Sequence, residues 1–135
     1  MTRWAAAFIA SGAVYIAGDL TWITLTTPTL YRPVIGQLMA QTMDVKAGVA
    51  FYLIYIMGIL AFGVAAGLRA GAWTRALASG ALFGLVAYAT YDLTNQATLR
   101  VWSTQISVID IAWGAVITAV ASTMGYLAAR RLSPS

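Results

Sequence analysis

Four long stretches of the chain are apolar almost without interruption: residues 4–26, 47–68, 73–99 and 105–129. Each supplies the roughly 20 apolar residues that cross a bilayer as a helix. The runs are continuous rather than alternating, which argues against the strands of a membrane barrel. The links at 69–72 and 100–104 are short, so they join antiparallel neighbours. Only the first link, 27–46, is long, and Pro28 and Pro33 within it predict that the first helix stops there. Beyond Pro33, the stretch Val34-Ile35-Gly36-Gln37-Leu38-Met39 reads as a short amphipathic turn on the membrane surface. The expected fold is an all-α integral membrane protein, an antiparallel up-down bundle of four transmembrane helices forming a single domain over residues 1–135.

Composition agrees with lipid as the outer solvent. Hydrophobic residues make up 61% and charged residues only 9%, too few charges to cover a water-facing surface. Cysteine and histidine are both absent, which removes disulfides, thiol nucleophiles, His-based triads and the usual zinc and haem ligands. No metal and no cofactor is therefore expected. The net charge of +4 comes from eight scattered basic residues, with no basic block to bind nucleic acid. Arg3, Arg69, Arg75, Arg130 and Arg131 fall on one side of the bundle, against Arg32, Lys46 and Arg100 on the other. The positive-inside tendency then places both termini in the cytoplasm. A small-residue site near Ala10-Ser11-Gly12 resembles a signal-peptide cleavage site, but the apolar run continues past it, so the first helix reads as uncleaved.

The chemistry lies in the acidic residues. All four are Asp, and Asp19, Asp92 and Asp110 fall inside spans. Asp19 lies seven residues before the first span ends, Asp92 seven before the third ends, and Asp110 five after the fourth begins. These ends share the non-cytoplasmic side, so the three carboxylates are expected in one layer, roughly 8–11 Å in from it. An Asp near a helix centre costs about 2.5–3.5 kcal/mol on insertion scales. Three together must face one another, a cation or water.

Polar neighbours share this depth. On the third span Tyr88, Tyr91, Asp92, Asn95 and Gln96 recur at three- and four-residue spacings, as do Tyr15, Asp19 and Trp22 on the first. Tyr52 and Tyr55 reach a similar depth on the second span, and Trp113 follows Asp110 on the fourth. The expected result is an Asp-, Tyr- and Trp-lined pocket opening outward, with Arg32 and Arg100 as counter-ions. Polar side chains also join membrane helices simply by hydrogen bonding across them. Trp4, Trp73 and Trp102 read as interfacial anchors. Gly63/Gly67, Gly67/Gly71 and Gly80/Gly84 are spaced for close packing of the second helix against the third, or for a dimer face. The echoes Asp19-Leu20-Thr21-Trp22, Asp92-Leu93-Thr94-Asn95 and Asp110-Ile111-Ala112-Trp113 are too short to establish an inverted repeat.

Four segments carry a resemblance: Gly18-Asp19-Leu20-Thr21-Trp22, Lys46-Ala47-Gly48, Tyr91-Asp92-Leu93-Thr94-Asn95-Gln96-Ala97-Thr98-Leu99 and Asp110-Ile111-Ala112-Trp113-Gly114. They resemble the bacterial four-helix membrane proteins grouped as domain of unknown function 2177. The resemblance implies a small multi-pass protein of the bacterial inner membrane without a settled activity, and a lipid-related role through neighbouring fatty-acid modification genes. A second likeness is one of geometry. Lipoprotein signal peptidases also have four spans and an Asp pair at the ends of the third and fourth, where Asp92 and Asp110 stand here. The Asn-rich motifs of that family are not reproduced, and Gly18-Asp19 and Tyr91-Asp92 match intramembrane aspartyl proteases over two residues only.

Three function classes follow. The first is binding or translocation of a small solute or a proton at the Asp layer, with Asp92 central, Asp19 and Asp110 flanking, and Tyr91, Asn95 and Trp113 shaping the site. The second is a lipid-associated enzyme or accessory protein, with an acyl chain between helices, the long first link as a lid, and Asp-dyad hydrolysis as one variant. The third is a structural subunit of a membrane complex. Membrane lipids, a small-molecule or lipid ligand and a second copy of the chain are the partners these readings call for.

Overall fold

The computed structural model describes residues 1–132, so the last three residues of the expected domain lie outside the described residues. Four helices are long and apolar enough to cross a membrane: α1 (Arg3–Leu38), α2 (Val45–Ala70), α3 (Trp73–Thr98) and α4 (Thr104–Arg131). No strand occurs among the described residues. Three starts are capped by side-chain oxygens that accept otherwise unpaired first-turn N–H groups. Thr2 accepts from Ala5, Asp44 from Ala47 and Ser103 from Ile106, at 3.1–3.2 Å. The α2–α3 turn closes at Gly71, whose φ of 66° is the left-handed conformation that glycine adopts without strain.

The first helix does not end where its prolines predict. Regular α-helix runs over Arg3–Thr26, a π-helical turn follows over Thr27–Tyr31, and helical turns resume over Arg32–Ile35 and Gly36–Leu38. Pro28 stands at the start of the π turn and Pro33 at the start of the next segment. A proline there has no N–H to pair with the preceding turn, and the wide turn relieves the ring's clash with the preceding carbonyl. Val34 and Ile35 are thus part of a helix, and the irregular link shrinks from the expected 27–46 to 39–44. At about 1.5 Å per residue, α1 is about 54 Å long, well beyond a hydrocarbon core of about 30 Å. A second π turn, Ile59–Val64, interrupts α2.

Helix α4 occupies the centre: half of its apolar window is buried, against 22–33% for the other three. Small residues let the others close on it. A Cβ at Gly63 or Gly80 would fall on Ser122, one at Gly84 on the Gly114 carbonyl and Thr118, and one at Gly125 on Ser11. The GxxxG pairs therefore seat α2 and α3 against α4 as well as against each other, while Gly71 belongs to the turn. Large apolar side chains such as Ile54, Phe62, Leu82 and Val116 face outward, where lipid is their solvent.

Candidate functional site

The inward face of α4 carries Asp110, Gly114, Thr118, Ser122 and Tyr126 at four-residue intervals, all buried. This stripe is a polar seam down the middle of the bundle, and the intramembrane carboxylates gather at its end away from the termini. Asp19, Asp92 and Asp110 are 7%, 0% and 6% exposed. Asp19 sits where α1 and α4 close tightly: a Cβ at the adjacent Gly18 would strike Ile117.

Two of the three carboxylates have hydrogen-bond donors. Tyr52 donates its hydroxyl to Asp19 at 2.6 Å, and the Tyr88 hydroxyl lies beside the same carboxyl. Tyr31, on the π turn of α1, donates to Asp110 at 2.5 Å, and the Trp22 indole N–H reaches both Asp110 and the Tyr31 hydroxyl at 3.3 Å. Helical side chains lean toward the N-terminus, which is how Tyr31 reaches back to a carboxylate inside the bundle. Trp22 is fixed in turn by the Trp113 ring, stacked on it at 4.7 Å and 4°.

Asp92 differs. It is wholly buried, and neither of its carboxyl oxygens has a hydrogen-bond partner among the described residues. What faces it is the carboxyl of Asp110. Ser107 holds the two helices together nearby, donating to the Asp92 carbonyl at 3.5 Å while accepting from the Trp102 indole at 3.0 Å. The Gln96 Oε1 and Trp113 Nε1 atoms are also buried without partners, although Gln96 donates through Nε2 to Thr104 at 3.0 Å. Two facing carboxylates without a donor between them repel, and a buried charge stripped of water and partners is costly. One proton on Asp92 turns the same contact into a hydrogen bond, because a protonated carboxyl donates and an ionised one accepts.

Below this layer, hydroxyls continue along the seam. Tyr15, fully buried, bonds Tyr88 at 2.7 Å and stacks on Tyr55 at 4.6 Å, and the Tyr55 hydroxyl meets Thr118 at 2.8 Å. Ser11 donates to the Ala121 carbonyl at 3.0 Å, Ser122 is buried without a partner, and Arg130 donates to Tyr126 at 3.0 Å at the terminal end.

Several sequence expectations need correction. Tyr91 does not line the layer; it is 56% exposed and packs edge-on against Trp102 at 5.9 Å. One residue turns a helix by about 100°, so burying Asp92 brings Tyr88 and Gln96 inward with it and rotates Tyr91 out. Asn95 and Gln96 are both half-buried, on either side of Asp92. Arg32 and Arg100 are exposed, and neither forms an ion pair with the carboxylates among the described residues. The expected open pocket is closed in this conformation, with Tyr31 and Trp22 against Asp110. Tyr31 escaped the sequence reading because it lies beyond a proline taken as a helix end. Thr118 and Ser122 escaped it too, although their four-residue register with Asp110 was a usable signal. No group of three or more His, Cys, Asp or Glu among the described residues is placed to hold a metal ion.

Compared with known proteins, residues 4–127 match the model of one family, domain of unknown function 2177, described as predicted membrane proteins. Nothing matches among curated proteins or among solved structures.

Proposed function

We propose that this chain, which belongs to the domain of unknown function 2177 family of predicted membrane proteins, binds and exchanges a proton at the Asp92–Asp110 pair. One observation carries the reading: a wholly buried carboxyl without a hydrogen-bond partner faces a second carboxyl that is well supplied with donors. Asp92 holds the proton and donates it to Asp110. Tyr31 and Trp22 donate to Asp110 and close the layer from the outer side, and Asp19 is the third carboxyl of the layer. A small cation could take the proton's place at the same acceptors once Tyr31 moves, which is the solute-binding form of this reading. The seam from Tyr15 and Tyr55 through Thr118 and Ser122 to Tyr126 provides hydroxyls toward the other face, so exchange with both sides, and hence translocation, follows the same line. With five basic residues on the side of the termini against three on the other, that side faces the cytoplasm of a bacterial inner membrane.

Infrared spectroscopy of the purified protein tests the proton directly. At neutral pH the wild type should show the carbonyl stretch of a protonated carboxyl, shifting in heavy water, and Asp92→Asn should lack it. Asp19→Asn should retain it. In proteoliposomes with an enclosed pH dye, the wild type should dissipate a proton gradient faster than Asp92→Asn. A protonated-carboxyl band that survives in Asp92→Asn would sink the assignment.

A further inference from the structure

On the lipid-facing side of α2 and α3, next to their turn, lies a groove of about 790 Å³ that the carboxylate layer does not use. Its mouth is set by Arg69, in the last turn of α2, and Arg75, in the first turn of α3, with Ser79 one turn further in. Its walls are Phe62, Leu82, Phe83 and Val86, with the Phe62 and Phe83 rings packed at 5.2 Å. Both arginines are exposed, and among the described residues neither is ion-paired. The four acidic residues are Asp19, Asp44, Asp92 and Asp110, and none lines this groove.

We infer that this groove binds one anionic phospholipid, with its phosphate between Arg69 and Arg75 and an acyl chain along the apolar walls. Charge complementarity selects the head: two guanidinium groups without a carboxylate partner suit a phosphate, which they grip in a planar, two-pronged geometry. Depth selects a lipid over a soluble anion. From Arg75 to Val86 is eleven residues, about 16 Å along the helix, which is about half of the hydrocarbon core, or one leaflet. The groove therefore runs from headgroup level to the bilayer midplane and opens sideways, where only a lipid already lying in the membrane enters. The glycine turn at Gly71 holds both arginines at one end, and Ala66 and Ala70 leave the floor open between the rings and the charges.

The test is native mass spectrometry of the detergent-purified full chain titrated with phosphatidylglycerol, phosphatidylcholine or inorganic phosphate. Wild type should retain one phosphatidylglycerol in preference to phosphatidylcholine, and no phosphate. Each of Arg69→Gln and Arg75→Gln should weaken retention about fivefold, and the pair about 25-fold. Arg131→Gln, an equal loss of charge on the same side but outside the groove, should leave retention unchanged. Ala66→Trp, which fills the groove and keeps both arginines, should also lose the lipid. Equal retention of both lipids, retention of inorganic phosphate in place of lipid, or a double variant that behaves like Arg131→Gln would overturn the proposal.

Discussion

Replacing Gly114 by alanine is the sharpest single test of how the site is held. A Cβ at this position would stand among the Cγ, Cδ1 and Cδ2 atoms of the Tyr88 ring. Tyr88 has little room to yield, because its hydroxyl bonds Tyr15, which is wholly buried and stacked on Tyr55. Forcing one extra carbon into such packing costs about 1–3 kcal/mol. Swinging Tyr88 away also leaves a buried Tyr15 hydroxyl unsatisfied, for about 1–3 kcal/mol more. Alanine recovers about 1 kcal/mol of helix propensity over glycine, so the net loss is about 1–5 kcal/mol. Reversible unfolding in mixed detergent micelles measures it, beside Tyr88→Phe and Tyr88→Ala. Tyr88→Phe removes the hydroxyl alone and should cost about 1–3 kcal/mol. In the Tyr88→Ala background the added methyl meets no ring, so Gly114→Ala should then cost less than about 1 kcal/mol. A neutral Gly114→Ala, or a penalty that adds fully to that of Tyr88→Ala, would refute the contact.

Other consequences are open to simple assays. Tyr31→Phe takes a donor from a buried carboxyl, at a cost of about 1–3 kcal/mol, and should both lower stability and speed proton exchange in proteoliposomes; a variant unchanged in both would mean that Tyr31 neither holds nor covers Asp110. Pro28→Ala permits the π turn to relax to regular α-helix, turning the following residues by about 100°, so it should reproduce the Tyr31→Phe phenotype; wild-type exchange would show that the proline does not set this register. Because the chain has no cysteine, single cysteines report sidedness cleanly: in intact cells Gln41→Cys should react with an impermeant thiol reagent and Arg131→Cys only after permeabilisation, the reverse pattern inverting the assigned orientation.

Much of the fold is legible in the sequence because lipid imposes a simple rule. A backbone that crosses hydrocarbon must satisfy its own hydrogen bonds, so long apolar runs become helices and short polar links become hairpins. The ends of α2, α3 and α4 follow directly from Gly71, Ser103 and the charges beside them. The end of α1 does not, because proline carries two meanings. Inside a regular helix it breaks the ladder, but in the first turn of a segment it is tolerated. Pro28 and Pro33 each stand second in such a segment, with a π turn over Thr27–Tyr31 that no periodicity announces.

The site is legible to a different extent for each of its parts. Depth along a helix follows from counting residues, and three spans of similar length bring Asp19 and Asp92 each within range of Asp110. Facing is harder, because a step of one residue moves a side chain through more than a quarter turn. Tyr91 fits the stripe by spacing, yet burial of Asp92 turns it outward, a quarter turn away. Hardest of all is the division of labour among three chemically identical groups. It depends on partners from other helices: Tyr52 from α2 for Asp19, Tyr31 and Trp22 from α1 for Asp110, and no donor for Asp92. Two carboxyls accept hydrogen bonds from other helices, while the third, without a donor among the described residues, gains a hydrogen bond by carrying a proton. On the proposed reading, Asp92 is therefore where the proton is exchanged, and Asp110 is the carboxyl that meets it.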